Sequence, residues 1–325
     1  MTALQSVRLE EETQYGNGLN KLGRGVPIAI IATLLAVPQL YRFDATGMLY
    51  HPGDPLVPAG TFASTPLSSF TYVAPPFPPS KRDTVAETAL LGAALTALHE
   101  TLVTLELPVE SAPFGEMSTL QWPRLRDLTF RGPYDPAHLP RIKALSHMSS
   151  LRSLQLLFAF PGTSSLPQPQ PIFHLQADER FPWSRLEHLV VTIALPEDGL
   201  WSRLPTNLRQ LCIRCWPHHQ TGYALRDKQS DRWMQLIQDQ TVMRSITESC
   251  GARAISSLEV HYGVKNLDEE IAFLRTLPST FPLLNSLTLM RYDPPSHTLL
   301  WSRRQRPSPH LFPIKPIQPL VSSIL

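Results

Sequence analysis

Residues 148–158 read Met148-Ser149-Ser150-Leu151-Arg152-Ser153-Leu154-Gln155-Leu156-Leu157-Phe158, and the frame inside them, Leu-x-x-Leu-x-Leu, decides the fold. In an extended segment Leu154 and Leu156 point to one face, and Ser153 and Gln155 point to the other. One strand with a single leucine face cannot bury it alone. Parallel strands stacked side by side can, if the return segments between them cover that face.

Working outward from this stretch, the frame recurs. With Leu, Ile, Val or Phe at its last position it stands at Leu102/Leu105/Leu107, Leu125/Leu128/Phe130, Leu151/Leu154/Leu156, Leu186/Leu189/Val191, Leu208/Leu211/Ile213 and Leu284/Leu287/Leu289. Leucine supplies 50 of the 325 residues, and chance at that composition gives roughly two occurrences. Looser copies follow the same spacing at Leu4/Val7/Leu9, Leu40/Phe43/Ala45, Leu67/Phe70/Tyr72 and Ile255/Leu258/Val260. Several copies share an entry, a bulky residue followed by Pro or Ser: Trp122-Pro123, Met148-Ser149, Trp183-Ser184, Leu204-Pro205 and Phe281-Pro282. The repeat spacing is irregular around that of leucine-rich repeats. The expected fold class is therefore α/β, an irregular leucine-rich-repeat solenoid (horseshoe) with parallel strands on the concave face and helices or loops on the convex face.

Helical signals lie between the frames. Thr84-Val85-Ala86-Glu87 reads as a capping box before Leu91, Leu95 and Leu98. Asp135-Pro136 supplies an N-cap and a proline at the first helical position. Ser230 or Asp231 is the expected cap of a helix carrying Trp233, Leu236, Ile237, Met243 and Ile246, and Asn266 with Glu269 that of another ending at Pro278. Val26 to Leu40 reads as a buried helix, too short to cross a bilayer. The division expected is a solenoid over residues 1–300 and a Pro-rich basic tail over 301–325, disordered in solution; the Pro-rich stretches 74–80 and 161–171 read as surface loops.

Composition narrows the function classes. A hydrophobic share of 42% excludes wholesale disorder, and 29 basic against 27 acidic side chains leave a net charge of +2, too little to steer the whole surface toward nucleic acid or anionic lipid. Neither nucleic acid nor membrane is expected as a partner. Three cysteines, Cys212, Cys215 and Cys250, cannot staple a chain of this length, and they point to a reducing compartment, cytoplasmic or nuclear. The first residues lack the basic and apolar regions of a signal peptide.

One stretch resembles chemistry: Cys212-Ile213-Arg214-Cys215-Trp216-Pro217-His218-His219. Two thiolates and two imidazoles suit zinc, and a Cys-x-x-Cys pair suits redox work. Against both, Cys212 lies in an expected strand, so Cys215 points to the opposite face unless the strand ends first. No metal ligand, cofactor or catalytic residue is assigned, and the chain is expected not to be an enzyme; His99-Glu100 lacks a second metal-ligating histidine, and the Gly-x-Ser-x-Gly and phosphate-loop motifs are missing. The candidate binding residues are those beside the middle leucines, on the expected concave face: Asp127, Thr129, Ser153, Gln155, His188, Val190, Gln210, Cys212, Ser257, Glu259, Ser286 and Thr288. Mostly small and uncharged, they suit recognition of a protein by shape and hydrogen bonds.

The segments Leu67-Ser68-Ser69-Phe70-Thr71-Tyr72, Ala97 to Leu107, Trp122-Pro123-Arg124-Leu125-Arg126 and Phe281-Pro282-Leu283-Leu284 resemble the leucine-rich-repeat region of fungal F-box-like proteins, over roughly residues 1–292. The resemblance implies a solenoid that recruits a protein substrate, with an F-box docking on the Skp-type adaptor of a cullin ubiquitin ligase. No F-box is recognisable, and the chain reads as starting inside a repeat at Leu4. Nor does it carry the family's asparagine ladder: the corresponding turn positions hold Glu110, Pro133, Ala159, Ala194 and Trp216, so other groups must satisfy the turn amides. A ligase-independent scaffold or regulatory binder, and a metal or redox protein using Cys212 and Cys215, stand as alternatives.

Overall fold

Every frame found in the sequence is a strand of one sheet. The computed structural model describes residues 4–10, 25–49, 62, 65–74, 82–161, 169–173, 175, 179–216, 233–234, 237–251 and 253–292. The tail 301–325, most of the two Pro-rich stretches, His218, His219, Ser230, Asp231 and Leu236 lie outside the described residues. The strands are β1 (Ser6–Glu10), β2 (Arg42–Thr46), β3 (Ser69–Val73), β4 (Thr104–Pro108), β5 (Asp127–Pro133), β6 (Ser153–Pro161), β7 (His188–Val191), β8 (Gln210–Ile213), β9 (Trp233–Met234), β10 (Ser257–Gly263) and β11 (Ser286–Tyr292). All but β9 form a ten-stranded parallel sheet in chain order, not closed into a barrel. The fold is α/β.

Register follows the frame. Leu105 pairs with Leu128, Leu128 with Leu154, Leu154 with Leu189, and Leu189 with Leu211. Leu211 pairs with Leu258, and Leu258 with Leu287. Because side chains alternate with period two, this single register puts the second and third residues of every frame on the same face, and the first stands in the turn before its strand. From Leu40 to Val260 all of them are buried in one continuous core. The core opens at the edges, where Leu4 is 48% exposed and Leu287 45%.

Return segments cover the leucine face. They carry α1 (Ile28–Leu35), α2 (Thr84–Leu98), α3 (Phe114–Thr119), α4 (Leu139–Lys143), α5 (Gln240–Cys250) and α6 (Leu267–Thr280). Among the described residues no helix is long and apolar enough to cross a membrane. The bulky entry residues Trp122, Met148, Trp183, Leu204 and Phe281 are all buried. In three of these entries the bulky residue's carbonyl accepts a hydrogen bond from the first frame leucine: Met148 from Leu151, Trp183 from Leu186 and Phe281 from Leu284, at 3.0–3.2 Å. The entry motif is thus a tight turn that anchors a large side chain and aims the next strand.

Three local expectations need correction. Asp83, one residue earlier than expected, caps α2 by accepting from the Ala86 amide at 2.9 Å, while Glu87 turns into the core toward Arg82 and Tyr72. The helix expected from Ser230 or Asp231 starts at Gln240 with Asp239 as its cap, and Trp233–Met234 instead pairs antiparallel with Phe160 and Pro161. The Val26–Leu40 stretch yields only the eight residues of α1, with Ile31 and Leu35 buried and Ile30 exposed. It connects β1 to β2 at one end of the sheet. By contrast Asp135 and Asn266 cap as expected, though α6 runs through Pro278 to Thr280 instead of ending there.

Scattered side chains satisfy the turns in place of a ladder. The Asp198 carboxylate accepts from the amides of Ile172 and Leu200. The Thr192 hydroxyl accepts from the Phe158 amide at 2.8 Å where β7 leaves β6, and Gln240 bonds both the Lys265 amide and the Asn266 carbonyl.

Candidate functional site

The sheet face opposite the core is where the strands can meet a partner, and its rows follow from the same register. The first row runs from Thr104 through Asp127, Ser153, His188, Gln210 and Ser257 to Ser286. The second runs from Glu106 through Thr129, Gln155, Val190, Cys212 and Glu259 to Thr288. All twelve candidate residues therefore fall in two adjacent rows.

They are not equally available. Gln210, Ser286 and Thr288 are exposed, and Asp127, Gln155, His188, Ser257 and Glu259 are partly so. Thr129, Ser153, Val190 and Cys212 are buried. Val190 and Cys212 join Leu157 in a second, small apolar cluster on this face, with Trp216 packed against it. The signal was present: Leu156-Leu157-Phe158 and Leu189-Val190-Val191 are continuous apolar runs, which bury both faces of a strand.

Polar groups flank this apolar centre on both sides. Toward β2, Arg131 pairs with Glu106 and Thr104 donates to Asp127 at 3.4 Å. Burial pushes the Glu106 carboxyl up, and the Arg131 guanidinium only partly opposes it. Toward β11, the backbone amide of Cys215 donates to Nδ1 of His261 at 3.3 Å. That fixes the proton on Nε2, which donates to Glu259 at 2.9 Å. The His261 bond holds the Glu259 carboxyl below its usual range against the effect of burial, helped by the Cys212 thiol and by Arg214. Burial and the nearby Arg214 lower His188, whose Nδ1 lies 3.2 Å from the Ser153 hydroxyl. Arg131, Leu157, Arg214 and His261 lie one pleat beyond the frame. Continuing the alternation one residue past each frame would have reached them.

At Cys212 and Cys215 the exception left open by the sequence applies, with Cys212 inside the strand and Cys215 past its end. The strand ends at Ile213, and both thiols are free and buried. Burial raises Cys212 well above an ordinary thiol and Cys215 to about 12, which favours the uncharged thiol over the thiolate at neutral pH. Among the described residues no three His, Cys, Asp or Glu side chains are grouped to hold a metal ion. The face as built offers hydrogen bonds, paired charges and a sealed apolar centre. No family model matches this chain, and no curated protein matches it.

Proposed function

We propose that the chain is a non-enzymatic protein-binding module, a leucine-rich-repeat horseshoe whose parallel strands present the partner-binding face. By the resemblance of its repeats, its role is that of the substrate-recruiting region of an F-box-type ubiquitin-ligase adaptor. The observation that carries the reading is the coincidence of ten frames with ten strands in one register. It leaves a broad face directed away from the core, with polar groups around a buried apolar centre and Gln210, Ser286 and Thr288 exposed. A stacked array of this kind works by offering extended surface. Three free, buried thiols fit residence in the cytosol or nucleus.

The test is capture from a fungal lysate with the full chain as bait, scored by mass spectrometry. Three baits are compared: wild type, Gln155→Arg with Gln210→Arg on the open face, and Val85→Arg on α2, where Val85 is 79% exposed. The reading expects a partner held by the wild type and Val85→Arg and lost from the double variant. A partner held equally by all three refutes the open face as the binding surface. Recovery of a Skp-type adaptor with that partner supports the ligase role, and a partner recovered repeatedly without ligase subunits refutes it in favour of a ligase-independent binder.

A further inference from the structure

Beyond the open face, the parallel ladder continues one residue before the strands begin. The amide of Arg126 donates to Val103, Arg152 to Arg126, Glu187 to Arg152, and Arg209 to Glu187, at 2.7–2.8 Å. Arg126, Arg152, Glu187 and Arg209 therefore stand in one row along the strand-entry edge of β5–β8, with Arg124 and Arg185 two residues earlier in their own segments. All five arginines are exposed. Glu187 is the single acid of the row and pairs with Arg152 at 2.6 Å. Among the described residues, Arg124, Arg126, Arg185 and Arg209 make no ion pair. Asp127, next in chain to Arg126, belongs to the open face and bonds Thr104. An excess of four positive charges is gathered here, in a chain whose whole net charge is +2.

We propose that this edge is a second interaction surface, separate from the open face, which docks an acidic segment of a partner protein. Three features select that partner. The cations are all arginine, whose planar fork meets a carboxylate through two parallel hydrogen bonds. From Arg126 to Arg209 is three strand spacings, about 14 Å, which an extended acidic segment covers in about four residues. Among the described residues the edge also offers no exposed Phe, Tyr or Trp ring on which a nucleic-acid base could stack. Trp122 and Trp183 are buried, and their indole N–H groups are spent on the carbonyls of Met117 and Leu145. At Arg209 the edge borders an open groove of about 500 Å³ lined also by Glu187, Asn207, Ser256 and Leu283, room for the segment to continue.

The test uses the full chain and fluorescence anisotropy with a labelled hexaglutamate peptide, beside a single-stranded uridine oligonucleotide of equal charge. Arg126→Gln, Arg185→Gln and Arg209→Gln are combined in one variant. Its control combines Arg8→Gln, Arg141→Gln and Arg275→Gln, which lose the same charge at exposed sites elsewhere. The proposal expects salt-sensitive peptide binding, weakened on the order of tenfold in the edge variant and unchanged in the control. Equal binding by the edge variant and the wild type overturns it. So does equal weakening by the control, which would make net charge the cause, or tighter binding of the oligonucleotide than of the peptide. Circular dichroism matching that of the wild type confirms that each variant is folded.

Discussion

Leu154 and Leu287 occupy the same frame position on different strands, and replacing each with alanine should cost very different amounts. Leu154, in the middle of the sheet, has no solvent exposure, whereas Leu287, on the last strand, is 45% exposed. Fully burying a leucine side chain is worth about 1.5–3 kcal/mol. In a packed core the unfilled cavity raises the cost of Leu→Ala to about 2–5 kcal/mol. Leu154 is enclosed by frame leucines of the neighbouring strands, so Leu154→Ala should cost about 3–4 kcal/mol. Leu287 keeps only about half of its burial and would leave no closed cavity, so Leu287→Ala should cost about 1 kcal/mol. The assay is urea denaturation followed by circular dichroism and tryptophan fluorescence together, because a stacked array can lose its single transition and only coincident curves give a free energy. Equal costs for the two variants, or a larger cost for Leu287→Ala, would refute a core that is closed at β6 and open at β11.

Three further outcomes follow from the described contacts. Arg82 is buried and holds both Glu87 and Glu110, so Arg82→Met should cost about 3–5 kcal/mol in the same denaturation assay by stranding two buried carboxylates; a cost below about 1 kcal/mol would mean the network is open to water. Burial alone would raise the Asp239 carboxyl, but hydrogen bonds from Lys265 and the Val242 amide hold it below its usual range. The sign is that of a depressed acid: its contribution is present above the ordinary carboxylate pKa and is lost as pH falls through the folded value. Asp239→Ala should thus cost about 1 kcal/mol at neutral pH and flatten the acid limb of a stability-versus-pH curve, and an unchanged limb would contradict the cap. Finally, iodoacetamide at neutral pH should leave Cys212, Cys215 and Cys250 unmodified in the native chain and label all three in urea, since burial raises each thiol. Rapid native labelling of Cys212 or Cys215 would reopen a redox or metal role.

The sheet was legible because its signal is local and repeated. Leu151, Leu154 and Leu156 fix a strand and its inward face within six residues, and a shared frame then fixes register, since a slip by one would expose every leucine. Even the loose copies, such as Leu40/Phe43/Ala45, obey it, because the sheet needs only an apolar side chain of tolerable size at each rung. What stayed hidden depends on contacts distant in sequence. Nothing local says that Arg82 will meet Glu110, or that Glu87 will turn inward instead of closing its capping box. The cap of α5 was misplaced because Ser230, Asp231 and Asp239 are all competent caps, and the pairing of Trp233–Met234 with β6 decides among them. On the candidate face the alternation gave the correct rows. It could not say that Trp216 would pack against the buried cluster of Val190 and Cys212.

The central claim is that consecutive frames are consecutive rungs, and its severest case is β8 beside β10, whose frames start 47 residues apart at Leu208 and Ile255. Gln210 and Ser257 are paired across these strands, close enough for a disulfide between cysteines placed there. Glu259, two residues further along, lies about 8 Å from Gln210 by strand spacing and rise, beyond disulfide reach. Oxidation of the Gln210→Cys/Ser257→Cys and Gln210→Cys/Glu259→Cys variants, read by mass spectrometry, is the most direct test. The account predicts rapid, near-complete cross-linking of the first pair and little of the second. Cross-linking of the second in preference to the first, or of neither, would contradict it.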